Sequence, residues 1–222
     1  LWYYIVMTFH IITLFPRAFR SYFGESILKR AIEDKKIAVK FYNPRDYADN
    51  KWKRIDRRAY GGGPGMVIQA EPVIRAVARA YALRRKSKII WLTPSGKPFT
   101  GAVGKQYAKK YTDLIIICGR YEGVDARVKK IFKVEEVSVG PFVLTGGELA
   151  AEIIIDSVSR YIPGVLGDLA SLEESRIASP DVYTRPAIFA YQGKKYRVPK
   201  VLLGGNHAAI DAWRAKKKAA SR

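Results

Sequence analysis

Five short apolar runs, separated by stretches with helical spacing, constrain the fold of this chain more than any other feature. The runs at 8–14, 37–42, 88–93, 114–118 and 134–139 are rich in Ile, Val and Phe and too short for buried helices, so they read as strands. Segments 19–33, 72–84, 101–110, 123–132, 147–161 and 207–218 carry the spacing and end signals of helices. Strands alternating with helices predict an α/β fold with a largely parallel sheet, since parallel neighbours need crossover connections that cover the sheet faces. With 222 residues, 48% of them hydrophobic, the chain can bury a sizeable core. No repeat or low-complexity tract interrupts the alternation.

Three runs end in glycine or proline loops: Thr93-Pro94-Ser95-Gly96, Cys118-Gly119-Arg120 and Val139-Gly140-Pro141. Ligands of open α/β sheets bind beyond the carboxyl ends of strands, where glycine lets backbone approach them closely. The loops therefore locate a ligand cleft. It is not an ordinary nucleotide site, because the chain has no G-x-x-x-x-G-K-[ST] and 119–123 does not satisfy G-x-G-x-x-G. Residues 168–186 then bring Glu173, Glu174, Ser175, Ser179 and Pro180 with few apolar side chains, and read as a linker. It separates a ligand-binding domain, 1–167, from a short basic C-terminal region, 187–222, in which a hairpin around Gln192-Gly193 precedes the last helix. That region is too small for an independent core.

Lys and Arg number 40 against 20 Asp and Glu, a formal net charge of +20. Such an excess calls for a polyanionic partner, nucleic acid first, ahead of a merely solvated basic surface. Cys118 is the sole cysteine, which excludes an intramolecular disulfide and a Cys-rich metal site and fits a reducing, cytoplasmic setting. The apolar stretch 1–15 contains Thr8, His10 and Thr13 and lacks a basic leader or cleavage site, so it reads as a buried strand and not as a signal peptide or membrane segment. Met7 is read as the natural start, with 1–6 an upstream extension.

Three constellations carry chemistry. In Asp56-Arg57-Arg58-Ala59-Tyr60-Gly61-Gly62-Gly63-Pro64-Gly65-Met66, four glycines in five positions follow Asp, Arg and Tyr side chains that could engage a base and a phosphate; a plain turn is the alternative. In Cys118-Gly119-Arg120-Tyr121-Glu122-Gly123-Val124-Asp125, a strand end runs toward a helix. Capping would account for Glu122 and Asp125, but a ligand-facing loop accounts for the glycines and Tyr121 as well. The apolar, glycine-broken segment 139–148 suits an adenine slot built from backbone groups, and Asp156 and Arg160 follow it on the next helix.

Taken together, 61–66, 119–125, 139–148, the run Ser157-Val158-Ser159-Arg160-Tyr161-Ile162-Pro163-Gly164-Val165-Leu166-Gly167, Tyr183-Thr184-Arg185-Pro186 and Gly205-Asn206-His207 closely resemble the bacterial tRNA (guanine-N1)-methyltransferase family. The resemblance runs from about Met7 to Trp213. It implies a SPOUT-type parallel sheet flanked by helices, with a deep trefoil knot and a small C-terminal helical appendage. It further implies a homodimer with active sites at the subunit interface, S-adenosyl-L-methionine as methyl donor, and methylation of the guanosine just 3′ of the tRNA anticodon. Mg2+ is suggested as an accompanying ion, with no ligand residues assigned.

Carried over by position, the donor pocket comprises Trp91, Leu92, Thr93, Pro94, Gly119, Tyr121, Glu122, Val139, Gly140, Pro141, Phe142, Val143, Leu144, Gly146 and Gly147. The family usually has Tyr, Asp and Pro where Trp91, Pro141 and Ala150 stand here. Asp56 and Tyr60 resemble residues near the target base. Methylation at N1 requires loss of the N1 proton to a base, and a fixed cation then stabilises the charge that spreads onto O6. Arg160 resembles the arginine in that role; a helix-end arginine satisfying the dipole is its bland alternative. The family base is a linker aspartate. Here the linker reads Ser171-Leu172-Glu173-Glu174-Ser175, so Glu174 is the candidate base, Glu173 its rival, and Asp168 and Asp181 the other local carboxylates. His10 reads as a core residue and His207 as capping or packing the last helix. Lys194, Lys195, Arg197, Lys200, Arg214, Lys216, Lys217 and Lys218 supply charge for RNA phosphates. The chain is also shorter after Trp213 than the family usually is. A knotted methyltransferase acting on another RNA position, or a non-catalytic RNA binder, are the alternative readings.

Overall fold

The computed structural model describes residues 7–82, 86–166 and 181–220. Its backbone divides into two compact units, Leu1–Leu166 and Gly167–Arg222.

The first unit is built on a five-stranded sheet: β1 (Met7–Ile12), β2 (Ile37–Tyr42), β5 (Ser87–Pro98), β6 (Asp113–Ile117) and β7 (Val134–Ser138), in the spatial order β2-β1-β6-β5-β7. Every pairing between them is parallel. β6 lies in the middle, and its Leu114, Ile115, Ile116 and Ile117 are all buried, as expected for a strand covered on both faces. Because side chains alternate along a strand, Leu114 and Ile116 face one core and Ile115 and Ile117 the other.

The first core is covered by a 3-10 turn (Pro16–Phe19), α1 (Arg20–Phe23), α2 (Ser26–Glu33), α4 (Gly101–Lys110) and α6 (Glu148–Ser159), through Phe19, Phe23, Leu28, Tyr107, Ile154 and Val158. On the opposite face, α3 (Ala70–Tyr81) brings Val73, Ala76, Val77 and Ala80, and the short α5 (Arg127–Ile131) brings Val128. α3 puts small residues where it meets the sheet, so its backbone can lie close to the strands.

Each expected strand is present. The expected helix 19–33 is interrupted at Gly24–Glu25, where the chain turns before Ser26 at φ 52°. The expected helix 123–132 is helical only over Arg127–Ile131, because Tyr121 at φ 59° and Gly123 at φ 115° commit the preceding residues to a loop. His10 is fully buried, its ring nitrogens 3.0 Å from the Tyr42 hydroxyl and 2.9 Å from Asp113 Oδ1, which makes it a core residue.

In the second unit, β8 (Ile188–Tyr191) and β9 (Lys194–Arg197) form an antiparallel hairpin turning at Gln192 and Gly193. Both turn residues have positive φ, 48° and 75°, as a tight two-residue hairpin requires. Phe189 and Tyr196 stack across it, 5.3 Å between ring centroids. α7 (His207–Ala220) follows; the Asn206 carboxamide, accepting from the Ala209 N–H at 3.1 Å, caps it, and His207 is exposed. No helix among the described residues is long and apolar enough to cross a membrane.

Candidate active site

A cavity of about 370 Å³ lies beyond the carboxyl ends of β5, β6 and β7, within the size range of small-ligand sites. Two departures from regular sheet structure create it. β5 pairs with β7 as far as Leu92↔Val137, leaves the sheet, and rejoins at Lys97↔Val137. Thr93 and Pro94, in the excursion, form part of the cavity wall. At Gly96 a Cβ would stand 2.5 Å from the Val137 nitrogen, so only glycine lets the two strands close up again.

The second departure is the path of 139–147. From β7, at the sheet edge, the chain passes the end of β5 and lands on β6. The Gly147 N–H donates to the Gly119 carbonyl at 2.9 Å, and Arg120 and Gly146 form an antiparallel bridge. A Cβ at Gly147 would lie 2.7 Å from Cys118 Cα, backbone that cannot swing aside. α6 starts at that contact.

All the sequence-predicted donor-pocket residues except Pro141 line this single cavity. Pro141 is exposed and outside the cavity lining, while the half-exposed Phe142 ring next to it packs over Gly140, 2.2 Å from where a Cβ would stand. The lining is largely apolar and glycine backbone, with Arg120 and Glu122 as the charged side chains. Such a wall holds a ligand by backbone N–H and C=O groups and shape.

Sequence reasoning missed what fixes this wall. Glu148, in the first turn of α6, is buried. Its carboxylate accepts from the Thr13 hydroxyl at 2.7 Å and from Arg120 Nε at 2.9 Å. Arg120 also donates to the Thr145 carbonyl at 3.3 Å and lies over the Phe15 ring, 4.6 Å from its centroid. One buried carboxylate thus ties the end of β1, the 119–123 loop and the start of α6 together. The same burial, with the Glu148 charge second, pushes the Cys118 thiol well up, so the thiol stays protonated and is no nucleophile. Burial and then Glu148 also raise the Glu152 carboxyl above its ordinary range.

Glu122 and Asp125, equivalent as capping candidates in the sequence, have different duties. Asp125 accepts from the Arg127 N–H at 2.9 Å and pairs with the Arg127 guanidinium, which holds its carboxyl below the ordinary value. Glu122 lines the cavity and packs on Gly65. A two-stranded ribbon, β3 (Asp56–Arg57) with β4 (Val67–Ile68), carries the glycine-rich loop. Glu122 N–H donates to the Met66 carbonyl and Ile68 N–H to the Gly123 carbonyl, at 3.0 and 2.9 Å. The ribbon is therefore anchored to the cavity rim. Asp56 sits on it half-buried, and Tyr60, beyond it, is fully exposed.

Arg160 caps the far end of α6 and is not part of the cavity wall. Ten residues separate it from the wall residue Ala150, roughly 15 Å along the helix axis. Glu173, Glu174 and Asp168 lie outside the described residues. Asp181 pairs with Lys217 at 3.1 Å within the second unit. Among the described residues, no group of three His, Cys, Asp or Glu side chains could hold a metal ion.

The family model for tRNA (Guanine-1)-methyltransferase TrmD matches residues 7–222. The tRNA (guanine-N(1)-)-methyltransferase of Clostridioides difficile strain 630 is 46% identical over 215 residues, 94% of this chain and 90% of the relative. That of Geobacter sp. strain M21 is 46% identical over 216 residues, 96% and 85% of the two chains. That of Dehalococcoides mccartyi strain CBDB1 is 45% identical over 217 residues, 95% and 85%. A match across nearly the whole chain, with the segments 119–123 and 139–147 gathered around one strand-end cavity, makes this protein a member of the tRNA (guanine-N1)-methyltransferase family.

Proposed function

We propose that the protein methylates N1 of the guanosine immediately 3′ of the tRNA anticodon, with S-adenosyl-L-methionine held in the strand-end cavity. The observation that carries the reading is the joining of that cavity to the ribbon bearing Asp56 and Tyr60, through Glu122 and Gly65. A donor site and a base-receiving loop then share one rim. The donor, when bound, supplies an electrophilic methyl on a sulfonium.

This chain's own residues do the rest. Backbone of 139–147 and 119–123 orients the donor and excludes water from it. Glu174 accepts the N1 proton of guanine, and Arg160 stabilises the negative charge that spreads onto O6. No residue is given a role toward Mg2+.

The active form is a homodimer. Arg160 stands at the opposite end of α6 from the cavity wall it must serve, which favours a site completed by a second copy. Leu149 and Ile153, one helical turn apart on α6, and Tyr22 and Ile27 are exposed apolar side chains suited to cover that copy. The passage of 139–147 past the end of β5, against the excursion at 93–96, supports a knotted backbone of SPOUT type. The second unit, with Lys194, Lys195 and Arg197 on an exposed hairpin, contacts RNA phosphates.

The test is methyl transfer from labelled donor to tRNA transcripts carrying guanosine or adenosine 3′ of the anticodon. Only the guanosine transcript should be labelled; equal labelling of both would overturn the N1-guanine assignment. Arg160→Ala and Glu174→Gln should each lose about 100-fold or more in turnover while still binding the donor. An active monomer in sedimentation would refute the shared site.

A further inference from the structure

The loop before the ribbon carries a surface feature that the methyl-transfer site does not use. Trp52 is 71% exposed, and its neighbours Lys51, Lys53 and Arg54 are exposed with it. A large aromatic left in water is costly unless something covers it. The loop is nevertheless held in one shape. The Asn50 side chain donates to the Arg54 carbonyl at 2.7 Å and accepts from the Arg54 N–H at 2.8 Å, and the Lys53 N–H donates to the Asn50 carbonyl at 2.9 Å. Lys53 accepts φ 50° to complete the turn. Immediately after it, Ile55 is fully buried, and its carbonyl accepts from the Gln69 N–H at 2.7 Å. The backbone that carries Trp52 is thus tied down, just ahead of the ribbon that leads to Tyr60.

Charge around the ring is one-sided. Asp49 is taken up by Arg75, and Asp46 lies 4.0 Å from Lys53. Among the described residues Lys51, Arg54, Arg57 and Arg58 form no ion pair with an acid; Lys51 Nζ lies 5.6 Å from the Trp52 ring centroid. The chain neighbours of Trp52 that stand exposed with it, Lys51, Lys53 and Arg54, offer charge and not apolar surface. An RNA duplex would supply phosphates, but its bases are already stacked. An unpaired nucleotide supplies both an open base face and a phosphate.

We propose that Trp52 is a stacking platform for an unpaired nucleotide near the methylated base, with Lys51, Arg54 and Arg57 holding the adjoining phosphates. This rests on the RNA methyltransferase reading above. It adds to that reading a contact that sets affinity for single-stranded RNA and takes no part in the chemical step.

The experiment compares the full chain with Trp52→Ala and Trp52→Phe on two probes: a stem-loop transcript with guanosine 3′ of its anticodon, and a blunt RNA duplex of equal charge. Trp52→Ala should bind the stem-loop about 5- to 150-fold more weakly, the worth of one base stacked on an aromatic ring. KM for the stem-loop should rise in step while kcat and donor affinity hold. Trp52→Phe should recover most of the loss, and the duplex should be indifferent to both changes. Lys51→Ala should flatten the dependence of log Kd on log salt by about 0.7–0.9, and Trp52→Ala should not. Unchanged stem-loop binding by Trp52→Ala, in a wild-type chain that methylates RNA, overturns the platform alone. A wild-type chain that neither binds nor methylates either RNA overturns the enzyme reading and the platform with it. Equal weakening on the duplex, or a changed sedimentation of Trp52→Ala, also overturns the platform, the latter by making the face a protein contact.

Discussion

Replacing Glu148 by Met should destabilise the protein far more than replacing Glu148 and Arg120 together. The Glu148 side chain is 5% exposed and that of Arg120 26% exposed. Without the carboxylate, a mostly buried guanidinium loses its counter-charge and the Thr13 hydroxyl loses its acceptor. Breaking a fully buried pair from one side costs about 3–5 kcal/mol; the water that reaches Arg120 reduces this to about 2–4 kcal/mol. For a chain of this length each kcal/mol moves Tm by about 2–4 °C, so the single variant should melt roughly 5–15 °C lower. In Arg120→Met with Glu148→Met the stranded charge is gone, and most of the loss should return. What does not return is the acceptor of the buried Thr13 hydroxyl, about 1 kcal/mol, and the favourable placement of an acid in the first turn of α6, about 0.3–1 kcal/mol. The assay is urea unfolding of both single variants and the double, all at one protein concentration. The cycle should give a coupling of about 2 kcal/mol. Additive single effects would refute the claim that this pair is the clamp of the cavity wall.

Gly147→Ala should cripple donor binding, because its Cβ would stand 2.7 Å from Cys118 Cα and force α6 away from β6. If donor binding must restore the displaced wall, overpacking of about 1–3 kcal/mol weakens donor affinity about 5- to 150-fold; calorimetry showing wild-type affinity would contradict it. Asp125→Asn should cost about 1 kcal/mol near neutrality, since the partner Arg127 is largely exposed. The sign follows from the lowered carboxyl of Asp125: its contribution is complete above the ordinary value of 3.8 and is lost as pH falls through the lower folded-state value. Urea midpoints of wild type and variant should therefore differ at about pH 7 and converge once pH falls below the lowered Asp125 value; a gap that persists in strong acid would argue against the Arg127 pairing as its source.

The strands and the place of the cavity are legible in the order of residues. A strand buried on both faces is written directly into the unbroken apolar run Leu114, Ile115, Ile116 and Ile117, and each strand-end loop shows itself because backbone crowding or positive φ demands glycine at Gly96, Gly123 and Gly147. These are local requirements, so they survive in the order of residues. The helix expected at 123–132 shrank to Arg127–Ile131 because two loop residues with positive φ outweighed helical spacing, a choice made by the docking of that loop against β4.

The tertiary structure alone decided which charges act together. Thr13 and Glu148 stand 135 residues apart, Arg120 and Glu148 28 apart, and nothing in their spacing couples them. Glu122 and Asp125 look alike in the sequence, yet one braces the glycine-rich ribbon and the other caps α5. Arg160 is named by the sequence as the candidate arginine, but which groups meet it at the end of α6 is not legible there, because a helix fixes the separation of its ends and not what packs against them. Local backbone chemistry is carried by neighbouring residues and can be read from them. Pairing of buried charges depends on which distant segments the fold brings within 3 Å, and that is settled only when the sheet and its covering helices pack.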